Sequence, residues 1–335
     1  MMKIAFDCHV PFCLAHGGVQ IQVEQTRAAL ERQGLEVWPL SWWDDSISPD
    51  LIHFFGKPTL SYARLVKQKR MRLVVADLLT SQGSRTAWQR IPFSIICFLD
   101  RLVGGRLRQK LGWSVYDLAD ACICLTPWEA SLVRKMYGAR HARIEIVPNG
   151  VEQVFLENRG NPARENHLVT TVTITPRKRV VEMVRAAALA RVKLHVIGKP
   201  YHPEDPYYLL FLRALKQARP WVEYVGPIED RAVLAEEYRK AAGFVLLSAM
   251  ESQSLSALEA AACGCPLLLT DLPWARSSFS NGASYIPLAS TETTSGYLRR
   301  FMDGVATAPK VTQVSSWDDV GARLARIYRE AVTSR

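Results

Sequence analysis

A chain of 335 residues with 48% hydrophobic side chains holds enough apolar material for two cores of ordinary domain size. Nineteen glycines and eighteen prolines without any internal repeat exclude a collagenous or low-complexity chain. The formal net charge is +10, but no RNP-like aromatics, zinc spacing or helix-turn-helix pattern accompanies it, so no nucleic-acid partner is expected.

The first apolar run, Met2–Asp7, reads as a strand. It is followed by the loop CHVPFCLAHGGVQ and by a helix that closes at Gly34 and leads into the next strand. Gly17 and Gly18 stand just before that helix. A glycine pair there lets backbone N–H groups approach an anion, although such a pair on its own is commonly no more than a turn. The pattern is not GxGxxG, which argues against an ordinary nicotinamide-binding turn. His9 and His16 share this loop and are either within reach of a substrate or simply exposed.

Strand patterns recur at LIHFF and RLVVA. Between Arg64 and Lys110 the chain then sets Arg64, Lys67, Lys69, Arg70, Arg72, Arg85, Arg90, Arg101, Arg106, Arg108 and Lys110 against only Asp77 and Asp100. These cations interleave with apolar residues, a pattern suited to an anionic membrane surface, where each contributes about 1 kcal/mol. A solvated helix face with a core-facing stripe fits the same pattern. The stretch Ile91–Leu99 is too short to span a bilayer and reads as a buried or interfacial helix. No charged region, apolar core and cleavage site precedes the first strand, so the expected location is cytoplasmic, with peripheral attachment to the inner face of the membrane as an option.

ACICL and IEIV complete a first set of strands, and Pro148-Asn149-Gly150 is a turn signal that ends it. A second set, LVTTVTI, KLHVIG, VEYVG, GFVLL and PLLLT, alternates with helical patterns, and a final helix pattern covers Trp317–Val332. Two parallel α/β sheets follow. The expected domains are 1–148, 149–312 and a C-terminal helical segment, 313–335. Seven cysteines, with Cys122-x-Cys124 and Cys263-x-Cys265 on regular elements and no zinc spacing, read as reduced buried thiols. The histidines form no HxxxH or HxH pair, so neither a metal site nor a cofactor is expected.

The segment ESQSLSALE, residues 251–259, bears most directly on function. Ser256-Ala-Leu-Glu259 is a capping-box pattern, which predicts a helix from near Ser256 to Cys263-Gly264 and leaves Glu251 on the preceding loop. A helix N-terminus after a parallel strand is where a phosphate or diphosphate docks. Carboxylates beside it suit sugar or ribose hydroxyls. The same spacing also fits a capping partner at Glu259 and a solvated loop charge at Glu251.

Six motifs in order resemble the retaining, nucleotide-sugar-dependent glycosyltransferases of the GT-B fold, in particular their family 4 (group 1). They are Gly17–Gln20 (GGVQ), Asp120–Gly138, Ile146–Glu152 (IVPNGVE), Pro176–Lys178 (PRK), Tyr224–Asp230 (YVGPIED) and the Glu251/Glu259 element with ACGCPLLLTD after it. The resemblance covers about residues 2–290. It implies two Rossmann-like domains facing each other across a cleft, the first binding the acceptor and the second a nucleotide sugar, with the C-terminal helix crossing back to the first.

By this resemblance the reaction is metal-independent transfer of a sugar, with retention, to a hydroxyl of a glycan, lipid-linked or small-molecule acceptor. The nucleotide sugar is a co-substrate. Lys178 matches the family's phosphate-binding lysine, and Arg177 is next to it. Glu251 would face the transferred sugar, and Glu259 would accept from the ribose. Backbone N–H groups of Ser254, Leu255 and Ser256 would meet the diphosphate, and the backbone at Ile228 and Glu229 would meet the base; the first domain's usual sugar-contacting histidine has no clear match in this chain, and Asp77 falls near its place. Two departures stand out: Thr171-Val172 replaces the family's Gly-Arg before the lysine, and Ser252 replaces a glycine. A non-catalytic sugar-nucleotide or membrane-binding module, or another GT-B enzyme such as a nucleotide-sugar epimerase or a phosphorylase, therefore stays open.

Overall fold

The computed structural model describes residues 2–333 except 10, 14–16, 45, 47, 103, 140–141 and 158–163. His16 of the glycine loop lies outside the described residues. The chain divides into two compact units, one of residues 1–150 with 317–335 and the other of residues 151–316.

The first unit holds β1 (Lys3–Cys8), β2 (Glu36–Pro39), β3 (Leu51–Phe55), β4 (Arg72–Ala76), β5 (Ala121–Cys124) and β6 (Ile144–Ile146), all parallel, in the order β2-β1-β3-β4-β5-β6. The interior strands β3 and β5 are buried along their whole length, as parallel strands covered on both faces must be. The helix Trp317–Thr333 belongs to this unit. Its Tyr328 hydroxyl lies 2.5 Å from His53 Nδ1 in β3, and its Gly321 sits against Ala29, where a Cβ would come within 2.8 Å of the Ala29 side chain and carbonyl oxygen. That close approach requires a residue with no side chain.

The second unit holds β7 (Glu165–Thr171), β8 (Leu194–Ile197), β9 (Val222–Gly226), β10 (Ala241–Leu246), β11 (Leu267–Thr270) and β12 (Ser284–Ile286), parallel in the order β12-β11-β10-β7-β8-β9. Every strand pattern read from the sequence is a strand. β12 was not anticipated, because three residues at a sheet edge carry too little periodicity to register.

The run Ile91–Leu99 lies in one helix, Ala87–Leu102. Cys97 and Phe93 pack into the first unit's core on one face, and Asp100 accepts from the backbone N–H groups of Leu107 and Arg108 at 2.7 and 3.0 Å. The other face is not buried: Trp88, Ile91, Ile95, Phe98 and Leu102 recur at alternating steps of three and four, with Trp88 82% and Leu102 69% exposed. No helix among the described residues is long and apolar enough to cross a membrane.

Candidate functional site

In each unit the strand order reverses beside the first strand, and the crevice outside the C-terminal ends of the strands at such a reversal is where open α/β sheets bind ligands. In the second unit this point lies between β7 and β10. The turn Pro176–Lys178 follows β7, and the loop carrying Glu251 follows β10.

These two segments are stapled together. Ala249 N–H donates to the Arg177 carbonyl at 2.9 Å, and the Arg177 guanidinium donates to the Met250 carbonyl at 2.6 Å and to Glu251 Oε2 at 3.2 Å. Lys178 Nζ donates to Glu251 Oε1. Glu251 and Lys178 are both buried. Burial by itself would push the Glu251 carboxyl up, but Lys178 and Arg177 outweigh it and hold it below the usual carboxylate range. Burial holds the Lys178 ammonium below its ordinary pKa, with Glu251 acting against the shift. Arg179 turns away, donating to the Ala289 carbonyl at 2.8 Å, so of the two arginines flanking Lys178 only Arg177 joins it at Glu251.

The helix after this loop is Leu255–Ala262, capped by Ser254, whose hydroxyl accepts from Ala257 N–H at 3.3 Å. The start lies one residue from that expected near Ser256, but the cap is Ser254 and the capping box is absent: with Ser254 as the cap, the third helical position is Ala257, and Glu259 lies two residues further on, turned inward. The N–H groups of Leu255 and Ser256 have no intrahelical acceptor, as in any first turn, and stand next to the Glu251 loop.

Glu259 is buried and both its oxygens are engaged. Arg231 donates to Oε1 and the Tyr238 hydroxyl to Oε2 at 3.3 Å. Arg231 also donates to Glu152 at 2.6 Å and lies over the Phe155 ring, 4.8 Å from its centroid. Burial keeps the Glu259 carboxyl above its ordinary pKa, with Arg231 opposing. Sequence reasoning missed Arg231 and Tyr238. The usable signal was Asp230, at the end of the YVGPIED motif, which caps the helix Arg231–Lys240 through Ala232 N–H at 2.8 Å and so sets Arg231 at its start.

Ile228 and Glu229 lie on the loop after β9. Ile228 is partly buried, and Glu229 is exposed with its carboxylate 3.6 Å from Lys199. In the Thr171-Val172 pair, Val172 meets Gly198 so closely that a Cβ on Gly198 would lie 1.8 Å from its carbonyl oxygen.

In the first unit the strand order reverses between β1 and β3. His9 follows β1, and its Nε2 donates to the Lys57 carbonyl, just after β3, at 2.7 Å. Asp77, after β4, accepts from the Tyr116 hydroxyl at 2.5 Å. Burial raises its pKa against the pull of Tyr116, Lys57 and His9. His9 and Asp77 thus stand at the same end of one sheet. Gly17, with φ of 142°, immediately precedes the helix Gly18–Arg32, a backbone conformation that glycine adopts readily.

Comparison with known proteins agrees with this layout. Residues 38–154 match the family described as Glycosyltransferase Family 4, and residues 165–296 the family described as Glycosyl transferases group 1. A D-inositol 3-phosphate glycosyltransferase of Streptosporangium roseum is 29% identical over 250 residues, covering 66% of this chain and 57% of the relative. One from Nocardiopsis dassonvillei is 32% identical over 187 residues, covering 50% and 43%. The chain thus spans about half the length of these curated relatives.

Among solved structures, sucrose-phosphate synthase of Thermosynechococcus elongatus superposes with a TM-score of 0.70 at 17% identity, over 99% of this chain and all of that one. HepE of Anabaena, solved in complex with UDP, superposes with a TM-score of 0.68 at 13% identity, over 98% and 100%. Its two halves thus match, in order, a Glycosyltransferase Family 4 domain and a Glycosyl transferases group 1 domain, and the chain carries the GT-B fold.

Proposed function

We propose that the protein transfers a sugar from a nucleoside diphosphate sugar to an acceptor hydroxyl, with retention at the anomeric carbon. The observation that carries this reading is the buried Lys178–Glu251 pair, joined by the partly exposed Arg177, at the strand-order reversal of the second sheet, next to the N-terminus of helix Leu255–Ala262. In such a transfer the anomeric C–O bond breaks and the diphosphate leaves with the bonding electrons. The acceptor oxygen bonds to carbon on the same face and gives its proton to the departing diphosphate oxygen. The costly event is the charge that develops on the diphosphate. Two cations already fixed in place, with helix-end N–H groups, stabilise that charge without reorganising when it appears. The fixed cations make the reading metal-independent at the reacting diphosphate.

In this reading Arg177 takes over the charge that the absent Gly-Arg pair supplies in the family. Glu251 orients Lys178 and faces the sugar. Glu259, positioned by Arg231 and Tyr238, accepts from the ribose. UDP is the first nucleotide to test, since HepE was solved with it. His9 and Asp77 are the first unit's candidates for meeting the acceptor.

The exposed stripe of helix Ala87–Leu102, with Arg64, Lys69, Arg70, Arg85, Arg106 and Lys110 exposed in the same region of sequence, supports an acceptor presented at an anionic bilayer surface.

A thermal-shift screen of UDP-, GDP-, ADP- and dTDP-linked sugars, followed by NMR of the product's anomeric proton, tests the proposal. A shift with one donor class that is lost in Glu259→Ala, and a product of the donor's own anomeric configuration, are the expected results. An inverted product defeats retention, and binding without any transfer in the presence of cell lipid extract defeats catalysis.

A further inference from the structure

The second sheet holds a cluster at the end opposite the Lys178 turn. His167 is the third residue of β7 and His195 the second of β8, so both lie toward the N-terminal ends of their strands. Their rings stack with centroids 3.9 Å apart and planes 20° from parallel. Glu237, on the helix Arg231–Lys240, brings Oε2 to 3.9 Å from His195 Nδ1. One ligand-capable atom from each of the three residues lies within 4.8 Å of the other two.

The nitrogens divide by role. His167 Nε2 and His195 Nδ1 are buried and have no hydrogen-bond partner among the described residues. The remaining nitrogen of each ring faces a carboxylate: His167 Nδ1 lies 3.5 Å from Glu165, and His195 Nε2 lies 3.6 Å from Glu223. A metal-bound imidazole has this arrangement, with one nitrogen on the ion and the other oriented by a carboxylate. Lys240 approaches the other Glu237 oxygen at 3.6 Å, leaving Oε2 directed at the histidines. A tetrahedral ion with bonds of about 2.0–2.1 Å sets its ligands about 3.3 Å apart and lies in the plane of each ring, so binding requires one of the two imidazoles to rotate out of the stack.

We propose that His167, His195 and Glu237 bind one Zn2+ ion, with a fourth position left to water. Two imidazoles and one carboxylate favour zinc over magnesium or calcium, which take oxygen donors. The two histidines stand 28 residues apart in sequence, which is why no histidine spacing revealed them. The site is structural: it ties β7 and β8 to the helix whose first residue, Arg231, holds Glu259 and Glu152.

The test uses the full chain, stripped with EDTA, freed of chelator and titrated with ZnCl2, with CoCl2 as a spectroscopic probe. One equivalent of zinc should bind and raise the melting temperature by about 4 °C or more, reversibly with EDTA. The cobalt form should show visible absorption without a thiolate charge-transfer band. His195→Ala, at a side chain 23% exposed, and Glu237→Gln should each abolish the rise. Agreement between them guards against one variant failing to fold. No stoichiometric binding by the unaltered chain, an undiminished rise in both variants, or a thiolate band pointing to cysteines such as the exposed Cys13 would overturn the site.

Discussion

Lys178 donates its ammonium to the Glu251 carboxylate inside the second unit, where the two side chains are only 11% and 9% exposed. Such a pair is balanced while both members are present, and deleting one leaves a buried charge at a cost of about 3–5 kcal/mol. Arg177, also on Glu251, softens that loss for Lys178→Ala. In a transfer assay Lys178→Ala should lower kcat by about 100-fold or more while KM changes much less, because the contact strengthens as the diphosphate leaves. Lys178→Arg should recover part of the rate. Equal losses in kcat and donor affinity would show that the lysine only binds.

Arg231 joins Glu259 to Glu152, and its removal strands a buried carboxylate. Arg231→Ala should destabilise the second unit by about 2–4 kcal/mol and raise donor KM, since Glu259 loses its orientation. Glu259→Ala should weaken donor binding directly. A double-mutant cycle in urea should return a coupling of at least about 1 kcal/mol between Arg231 and Glu259. Additive losses would mean that Arg231 acts through Glu152 alone.

How much was legible beforehand can be judged from these same residues. The strand runs, the Glu251 loop and the Pro176–Lys178 turn were readable because parallel strands are continuous apolar segments and because these motifs sit directly after them. The inward turn of Glu259 was not, since Ser254 and Ser256 are equally good caps by type and only packing chooses between them. The partner of Glu259 was invisible for a different reason: Arg231 lies 28 residues away, and pairing across elements leaves no local periodicity. The exposure of the Ile91–Leu99 helix was open for the same reason, because a stripe at steps of three and four looks alike whether it faces a core or solvent.

The stripe from Trp88 to Leu102 gives a membrane prediction. Vesicles containing phosphatidylserine should bind the chain and shift its tryptophan emission to the blue, with binding falling steeply between low and physiological salt. Ile95→Glu should reduce binding at least about tenfold while leaving the melting temperature nearly unchanged, because Ile95 is 53% exposed. Equal binding to neutral vesicles, or none to anionic ones, would remove the membrane from the proposal.

His53, buried in β3 against Tyr328, gives a pH prediction. Burial lowers its pKa to about 3, against an ordinary value near 6.5. Between these values the unfolded chain binds the proton and the folded chain does not, so stability is present above pH 6.5 and is lost as pH falls. The loss amounts to about 1–2 kcal/mol by pH 5. Glu129 has the opposite sign: burial raises its pKa to about 7, so its contribution is present at low pH and is lost as pH rises toward 7. The two overlap in the whole-protein curve, and only a difference measurement separates them. Unfolding by urea at pH 7.5 and pH 5 should show a smaller loss for His53→Asn than for the unaltered chain. An identical loss in the two proteins would mean that His53 is protonated in the folded state or that its burial opens before unfolding.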